Sequence, residues 1–171
     1  MKTYQKIVHS VVEILEIVII VFALSWLIKT DVLGFSSVSG DGMLPVLGKN
    51  NQVLVVKFFR STTFLARGDI VVFRDEQMNE HTERLVGLPG DRIEIRNGFA
   101  YVNGKPTYEP YARTPPTYQM APVFVPKNSV FVLNDNRTVQ NDSKEFGSIP
   151  IDSVQGRAVM CYWPWSKMQI L

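Results

Sequence analysis

The sequence predicts a mainly β protein that follows one N-terminal membrane-spanning helix. Three observations support this fold class. The chain begins with a long apolar run, the remainder consists of short alternating segments rich in β-branched and aromatic residues, and the chain contains 11 Gly and 10 Pro, many of them between those segments. With 171 residues, of which 46% are hydrophobic, the chain suits one anchor and one modest antiparallel β domain.

Composition excludes several classes of function. The 18 basic and 16 acidic residues give a formal net charge of +2, and no cluster of Lys and Arg is interleaved with aromatic residues, which disfavours nucleic-acid binding. The single Cys161 cannot form an internal disulfide. His9 and His81 are far apart and show no metal-ligand spacing. We therefore expect neither a metal nor another cofactor.

The apolar run covers residues 7–28, and as a helix it would be about 33 Å long, against a hydrocarbon core of roughly 30 Å. Glu13 and Glu16 fall in its first half. There the helix N-terminus and the nearby membrane interface reduce the cost of an acidic side chain. The run therefore predicts a transmembrane signal-anchor helix in contact with the lipid bilayer.

The charges that flank this helix predict its orientation. Residues 1–6 carry Lys2 and Lys6, whereas no net positive charge follows the helix directly. The positive-inside bias therefore places the N-terminus in the cytoplasm. We expect a single-pass protein of the cell membrane with residues 29–171 as an extracellular β domain.

Two alternatives for the apolar run remain open. A cleavable signal peptide needs a small-x-small site after the run, and Ala23-Leu24-Ser25 fits that pattern only inside the run. A soluble amphipathic helix needs a polar face, whereas residues 17–24 include no polar residue.

The remainder of the chain contains several strand-like segments separated by turns. Segments with strand-like length and content cover residues 53–59, 69–74, 92–96, 99–102, 129–133 and, at the C-terminal end, 154–165. Asn97-Gly98 predicts a tight hairpin, and Asn103-Gly104 predicts a second one. The Pro-rich residues 105–127 predict an extended excursion from the sheet.

Residues 38–47, which follow the anchor, resemble a loop that presents a catalytic nucleophile. Gly40 and Gly42 allow the backbone to turn sharply and to approach a substrate. Met43, Pro45 and Leu47 are suited to hold the turn against a core. Gly42 has no side chain, however, so position 42 offers no hydroxyl or thiol. By itself, this segment is more typical of an ordinary strand-to-turn junction.

Four segments occur in the order and approximate spacing found in type I signal peptidases, the membrane-anchored serine endopeptidases that remove signal peptides from exported proteins. They are GDGMLPVL at 40–47, RGDIVVF at 67–73, ERLVGLPGD at 83–91, and DNR at 135–137 followed by NDSK and Gly147. The chain resembles this family over nearly its whole length, and its compact size resembles the Gram-positive form. The resemblance implies a signal-peptidase-like β-barrel or antiparallel-sheet domain.

The chain departs from the family pattern at the positions that carry the chemistry. The family has Ser before the Met of the first segment and Lys before the Arg of the third, and here these positions hold Gly42 and Glu83. The family mechanism needs the Ser hydroxyl to attack the scissile carbonyl and a neutral Lys amine to accept its proton. Gln140 stands where a supporting Ser is usual. We expect burial to favour the neutral form of Glu83.

The resemblance also implies roles for residues around the dyad. Arg84 and Asp142 match residues that form a structural ion pair in the family. In the family an extended signal peptide lies in an apolar groove beside this loop, and five apolar residues of this chain offer surface around such a groove. They are Met43, Leu44, Pro45, Val86 and Leu88.

These departures lead us to expect a catalytically inactive homologue that is not an enzyme. Its expected role is to bind signal peptides, or to assist an active signal peptidase or the export machinery. An alternative is a peptidase in which Glu83 activates a water molecule and the backbone N–H of Gly42 contacts the oxyanion. A structural membrane protein without substrate binding is a third possibility.

Overall fold

The computed structural model describes residues 2–57, 65–115 and 117–171. Its elements are α1 (Lys2–Asp31), β1 (Leu33–Ser37), β2 (Gln52–Val56), β3 (Ile70–Arg74), β4 (Glu80–Gly87), β5 (Arg92–Arg96), β6 (Phe99–Val102), β7 (Lys105–Pro106), β8 (Met120–Phe124), β9 (Ser129–Leu133), α2 (Ser143–Phe146), β10 (Ile149–Pro150), β11 (Val154–Trp163) and β12 (Gln169–Ile170). The fold is mainly β, as the sequence predicts.

Helix α1 includes the whole predicted apolar run. Its large apolar side chains from Val11 to Trp26 are exposed, and its principal contact with the β domain is with strand β1. No helix within the described residues meets the combined requirement of length and apolar character for crossing a membrane. The transmembrane span at residues 7–28 therefore stays a prediction.

Most strands belong to one large antiparallel sheet. Its order is β1-β2-β11-β3-β4-β9-β10, and β12 pairs with Met160 and Cys161 of β11. Strand β11 lies between β2 and β3, so the C-terminal part of the chain holds the N-terminal strands in place. Of the predicted strands, those at 92–96, 99–102 and 129–133 have the observed bounds. The predicted strand 53–59 ends at Val56, and its residues 58 and 59 lie outside the described part of the chain.

A second antiparallel sheet has the order β7-β6-β5-β8. Both predicted hairpins are confirmed here, because Asn97-Gly98 joins β5 to β6 and Asn103-Gly104 joins β6 to β7, with positive φ at all four residues. The predicted excursion over residues 105–127 is wrong in part. Strand β8 lies within it and pairs with β5, so this segment returns to the sheet.

Three clusters of buried apolar side chains support the sheets and the loop between β1 and β2. One cluster joins Met43 and Leu47 of that loop to strands β2, β3 and β11. A second cluster packs the smaller sheet, including Ile93, against Phe131 of β9 in the large sheet. A third packs Phe73 against Leu85 and its neighbours. The loop that resembles a nucleophile elbow is therefore fixed to the body of the β domain.

Candidate functional site

The loop at residues 38–47 forms one wall of the candidate site. Met43 and Leu47 are 1% and 0% exposed, and the Leu47 N–H donates to the Met43 carbonyl over 2.8 Å. These contacts confirm that the two side chains hold the turn against a core. Pro45 does not share that role, because it is exposed.

Gly42 lies directly against the side chain of Asn134, which follows strand β9. A Cβ atom built on Gly42 would lie 2.1 Å from Oδ1 and 2.8 Å from Cγ of Asn134, where ordinary contacts begin near 3.4 Å. Asn134 is buried, and the backbone N–H of Asn136 donates to the Gly42 carbonyl over 2.7 Å. The carboxamide of Asn134 therefore occupies the space that a side chain at position 42 would need.

Glu83 lies on strand β4, opposite Val71 of β3, and is 2% exposed. Within the described residues its Oε2 atom has no hydrogen-bond partner. Burial, together with the nearby charge of Asp142, raises the pKa of Glu83 well above its usual range. The expectation that burial favours the neutral carboxyl is confirmed in direction.

An open pocket with an empty volume of about 420 Å³ brings the three altered positions together. Gly42, Glu83 and Gln140 all line it, although they come from the β1–β2 loop, strand β4 and the loop after β9. Gln140 is exposed, and within the described residues Oε2 of Glu83 makes no hydrogen bond with it or with any other residue. The spatial grouping expected from the resemblance is present, without that hydrogen bond.

His81 also lines the pocket, although no sequence motif predicted a role for it. Its Nε2 lies 2.9 Å from Oδ2 of Asp75, and its Nδ1 lies 4.0 Å from Oε1 of Glu83. Hydrogen bonds from Asn79 and from His81 lower the pKa of Asp75 to about 2. The ring of His81 stacks on Phe73 at 5.2 Å between centroids, which fixes its orientation. The structure thus adds an Asp–His pair to the side of the pocket.

The structural ion pair forms with a different partner from the one expected. Arg84 donates to both carboxylate oxygens of Asp135, over 2.8 and 2.6 Å, and to the Gly68 carbonyl. Asp142 instead accepts from the backbone N–H groups of Asn134 and Lys144. Because these two hydrogen bonds commit Asp142 to the loop and to the start of α2, the predicted Arg84–Asp142 pair is wrong.

The apolar groove candidates are only partly supported. Met43 lines the pocket, but its side chain is buried in the core. Val86 is buried in the cluster on the smaller sheet, and Leu88 packs at the edge of another cluster. Leu44 is half-buried and Pro45 is exposed, and neither lines the pocket. The lining around Gly42 is consequently more polar than the sequence suggested.

Fold and site together define a class of mainly antiparallel β proteins. Three segments form the pocket: a tightly held Gly-rich loop, one strand that carries a buried ionisable residue, and a loop that an Arg–Asp pair fixes. Residues 11–163 match the family model described as signal peptidase, peptidase S26. The chain belongs to this family.

Two relatives that are similar in sequence support the same assignment. The chain is 35% identical over 150 residues to signal peptidase I of Leptolyngbya laminosa, a match that covers 82% of this chain and 74% of that protein. It is 30% identical over 178 residues to signal peptidase IB of Staphylococcus aureus strain COL, covering 92% and 93%. A crystal structure of a signal peptidase I from Enterococcus faecalis V583 aligns with a TM-score of 0.48 and 29% identity, covering 54% of this chain and 95% of that one.

These relatives correct the expectation that the chain is not an enzyme. The proteins that it matches are named signal peptidases, so the family to which it belongs is an enzyme family. The residues at positions 42 and 83 remain Gly and Glu, and any chemistry assigned to the pocket has to be compatible with both.

Proposed function

We propose that this protein recognises the signal peptides of exported proteins in the pocket beside Gly42. The observation that carries the proposal is the convergence of the loop at 38–47, strand β4 and the loop after β9 on one open pocket, in a chain that matches signal peptidases over most of its length. Small residues at positions 39, 40 and 42 leave room for a peptide backbone to approach this loop.

Two strands offer backbone edges that an extended peptide can use. In the described part of the chain β1 pairs with β2 and has no second neighbour. Residues 80–83 of β4 pair with β3, whereas pairing of β4 with β9 begins at Arg84. The hydroxyl of Ser36 on β1 donates to the carboxylate of Glu80 on β4, so the two strands approach each other. A peptide strand added at either edge would run past the pocket.

The proposed site of action is the outer surface of the cell membrane. The exposed apolar side chains of α1 support its insertion into lipid, because such a surface is unfavourable in water. Trp163 and Trp165 are also exposed, as is typical of aromatic side chains at a membrane interface. In the proposed orientation the N-terminus lies in the cytoplasm. An active signal peptidase or the export machinery are proposed as further partners. Protease protection of the β domain in sealed vesicles tests this orientation.

Peptide binding is tested with the full chain in lipid nanodiscs. A fluorescent signal peptide with Ala at both small positions near its cleavage site is compared with one that carries Leu at both. We expect the Ala peptide to bind at least about fivefold more tightly, which corresponds to about 1 kcal/mol, the scale of misfitting a few methyl groups. Ser39→Trp, which fills the pocket, should weaken binding, whereas Gln119→Trp on an exposed surface outside the pocket should not.

Equal binding of the two peptides would contradict recognition of a signal peptide. Absence of binding by either peptide would favour a structural membrane protein. Binding of the Ala peptide that Ser39→Trp leaves unchanged would place recognition at another surface.

A second candidate is hydrolysis of the bound peptide by a water molecule that Glu83 deprotonates. Burial raises the pKa of this carboxyl, so its ionised form is a stronger base, and cleavage by this route should increase with pH as that form becomes populated. Mass spectrometry after incubation with the Ala peptide detects cleavage. Loss of cleavage in Glu83→Gln and its survival in Ser39→Ala would support this route. Loss in Ser39→Ala would instead identify a serine nucleophile.

A further inference from the structure

In the described part of the chain, two carboxyl side chains and no side chain with a permanent positive charge line the pocket beside Gly42. Asp41 and Glu83 are among its lining residues, and in the described part of the chain the lining includes no Lys or Arg. The nearby Arg84 and Arg137 are held elsewhere, by Asp135 and Glu109 at 2.6 and 2.7 Å. Apart from His81, the described lining thus holds no side chain that can carry a positive charge.

The carboxyl of Glu83 lacks a donor on the side that faces His81. Asp75 has a lowered pKa and is a carboxylate at neutral pH, so Nε2 of His81 carries the hydrogen that is shared between them. In neutral His81 the Nδ1 atom is then an acceptor, and it faces Oε1 of Glu83 at 4.0 Å. Within the described residues Oε2 has no partner either, so this buried carboxyl, with its side chain 3% exposed, has an acceptor near Oε1 and no donor at Oε2.

An external group that supplies several N–H donors and a positive charge would satisfy this arrangement. A primary ammonium has three donors on a compact head. A metal ion fits less well, because the described residues contain no group of three or more His, Cys, Asp or Glu side chains placed to ligate one.

We propose that the pocket binds a primary ammonium group of a peptide, either an α-amine or a lysine side chain, with Glu83 as its counter-ion. The inference rests on the proposed peptide-binding function and specifies the chemistry of what is bound. The α-amine of a peptide that ends at the loop and the side chain of an internal lysine present the same head group, so the experiment has to separate them.

The test uses four peptides that are identical except for the changes given next. Each peptide is titrated against the full chain in nanodiscs. The first has a free N-terminus, the second is N-acetylated, the third is N-acetylated with one internal lysine, and the fourth has norleucine in place of that lysine. We expect acetylation to weaken binding about tenfold if the α-amine is recognised. If the side chain is recognised, we expect lysine to bind about tenfold more tightly than norleucine.

Glu83→Gln should abolish whichever difference is found, since it removes the charge and keeps the shape of the side chain. Asp152→Asn, an exposed carboxylate outside the pocket, is the matched control and should retain the difference. Equal affinities across the four peptides would overturn the proposal. A difference that persists in Glu83→Gln would overturn it as well, because the ammonium would then bind at another place.

Failure of all peptides to bind would contradict the proposed function rather than the ammonium site. In that case n-butylamine is compared with n-butanol by following the ¹³C signal of the Glu83 carboxyl, which is assigned by its loss in Glu83→Gln. A saturable shift with the amine and none with the alcohol would support the site. No shift with either would overturn it.

Discussion

The close approach of Asn134 to position 42 leads to a prediction about Gly42→Ala. The new Cβ would lie 2.1 Å from Oδ1 and 2.8 Å from Cγ, and Asn134 is buried with its N–H held by Asp142 over 3.1 Å. The Asn134 side chain therefore has to leave its position or the loop has to shift. Such overpacking typically costs about 1–3 kcal/mol, and we expect about 2 kcal/mol here.

Gly40→Ala is the matched control, because a Cβ at position 40 would meet nothing within 4 Å. It removes the same backbone freedom from the unfolded chain two residues away. We expect Gly40→Ala to change the free energy of unfolding by no more than about 0.5–1 kcal/mol, and in the stabilising direction. The difference between the two variants isolates the steric effect of Asn134.

A double-mutant cycle completes the test. In an Asn134→Ala background the obstacle is gone, so Gly42→Ala should cost at least about 1 kcal/mol less than in the natural chain. Urea unfolding of the full chain in detergent, followed by circular dichroism, gives each free energy, provided that the slopes agree. Equal effects of Gly42→Ala in both backgrounds would refute the steric coupling. So would equal effects of Gly42→Ala and Gly40→Ala.

Three further predictions concern ionisable groups and the missing serine. Burial raises the pKa of Glu83 in the folded state, so its contribution to stability is present below the unfolded value near 4.5 and is lost as pH rises through the folded pKa. Glu83→Gln should therefore become more stable relative to the natural chain as pH increases above about 4.5, and a pH-independent difference in urea midpoint would contradict this. Arg84→Met should lower the free energy of unfolding by about 3–5 kcal/mol, because it leaves Asp135 buried without its cation. In the same urea experiment, Arg84→Met combined with Asp135→Leu should recover much of this loss. Finally, Gly42→Ser with Glu83→Lys should substantially increase cleavage of an Ala-x-Ala precursor only when Asn134→Gly is added. A gel-based precursor assay measures the cleavage. An equal increase without the third change would show that Asn134 moves aside freely.

Local signals predicted much of the fold. Alternating strands and Asn-Gly turns depend on neighbouring residues, and both hairpins occur where expected. Strand β4 was not predicted as a strand, because Glu80, His81 and Glu83 interrupt the apolar alternation, and the last two of these line the pocket. Strand β8 was hidden by Pro122, which is tolerated because β8 lies at the edge of the smaller sheet.

The candidate site was predictable only in part. The resemblance correctly brought Gly42, Glu83 and Gln140 into one pocket. It did not identify His81 as a neighbour of Glu83, although residues two apart on a strand share a face. Spacing could not distinguish Asp135 from Asp142 as the partner of Arg84, because both lie in the loop after β9 and the choice depends on which carboxylate the backbone N–H groups occupy.

The two altered dyad positions differ in how the protein accommodates them. At position 42 the missing side chain is compensated sterically, because Asn134 fills the space and the loop keeps its core contacts through Met43. At position 83 the described chain supplies no matching change, since Oε2 has no partner and the nearby charge of Asp142 opposes ionisation. A buried carboxyl without a donor either holds a proton or receives a donor from outside. The steric change at Gly42 is therefore a property of the fold, whereas the role of Glu83 depends on what enters the pocket.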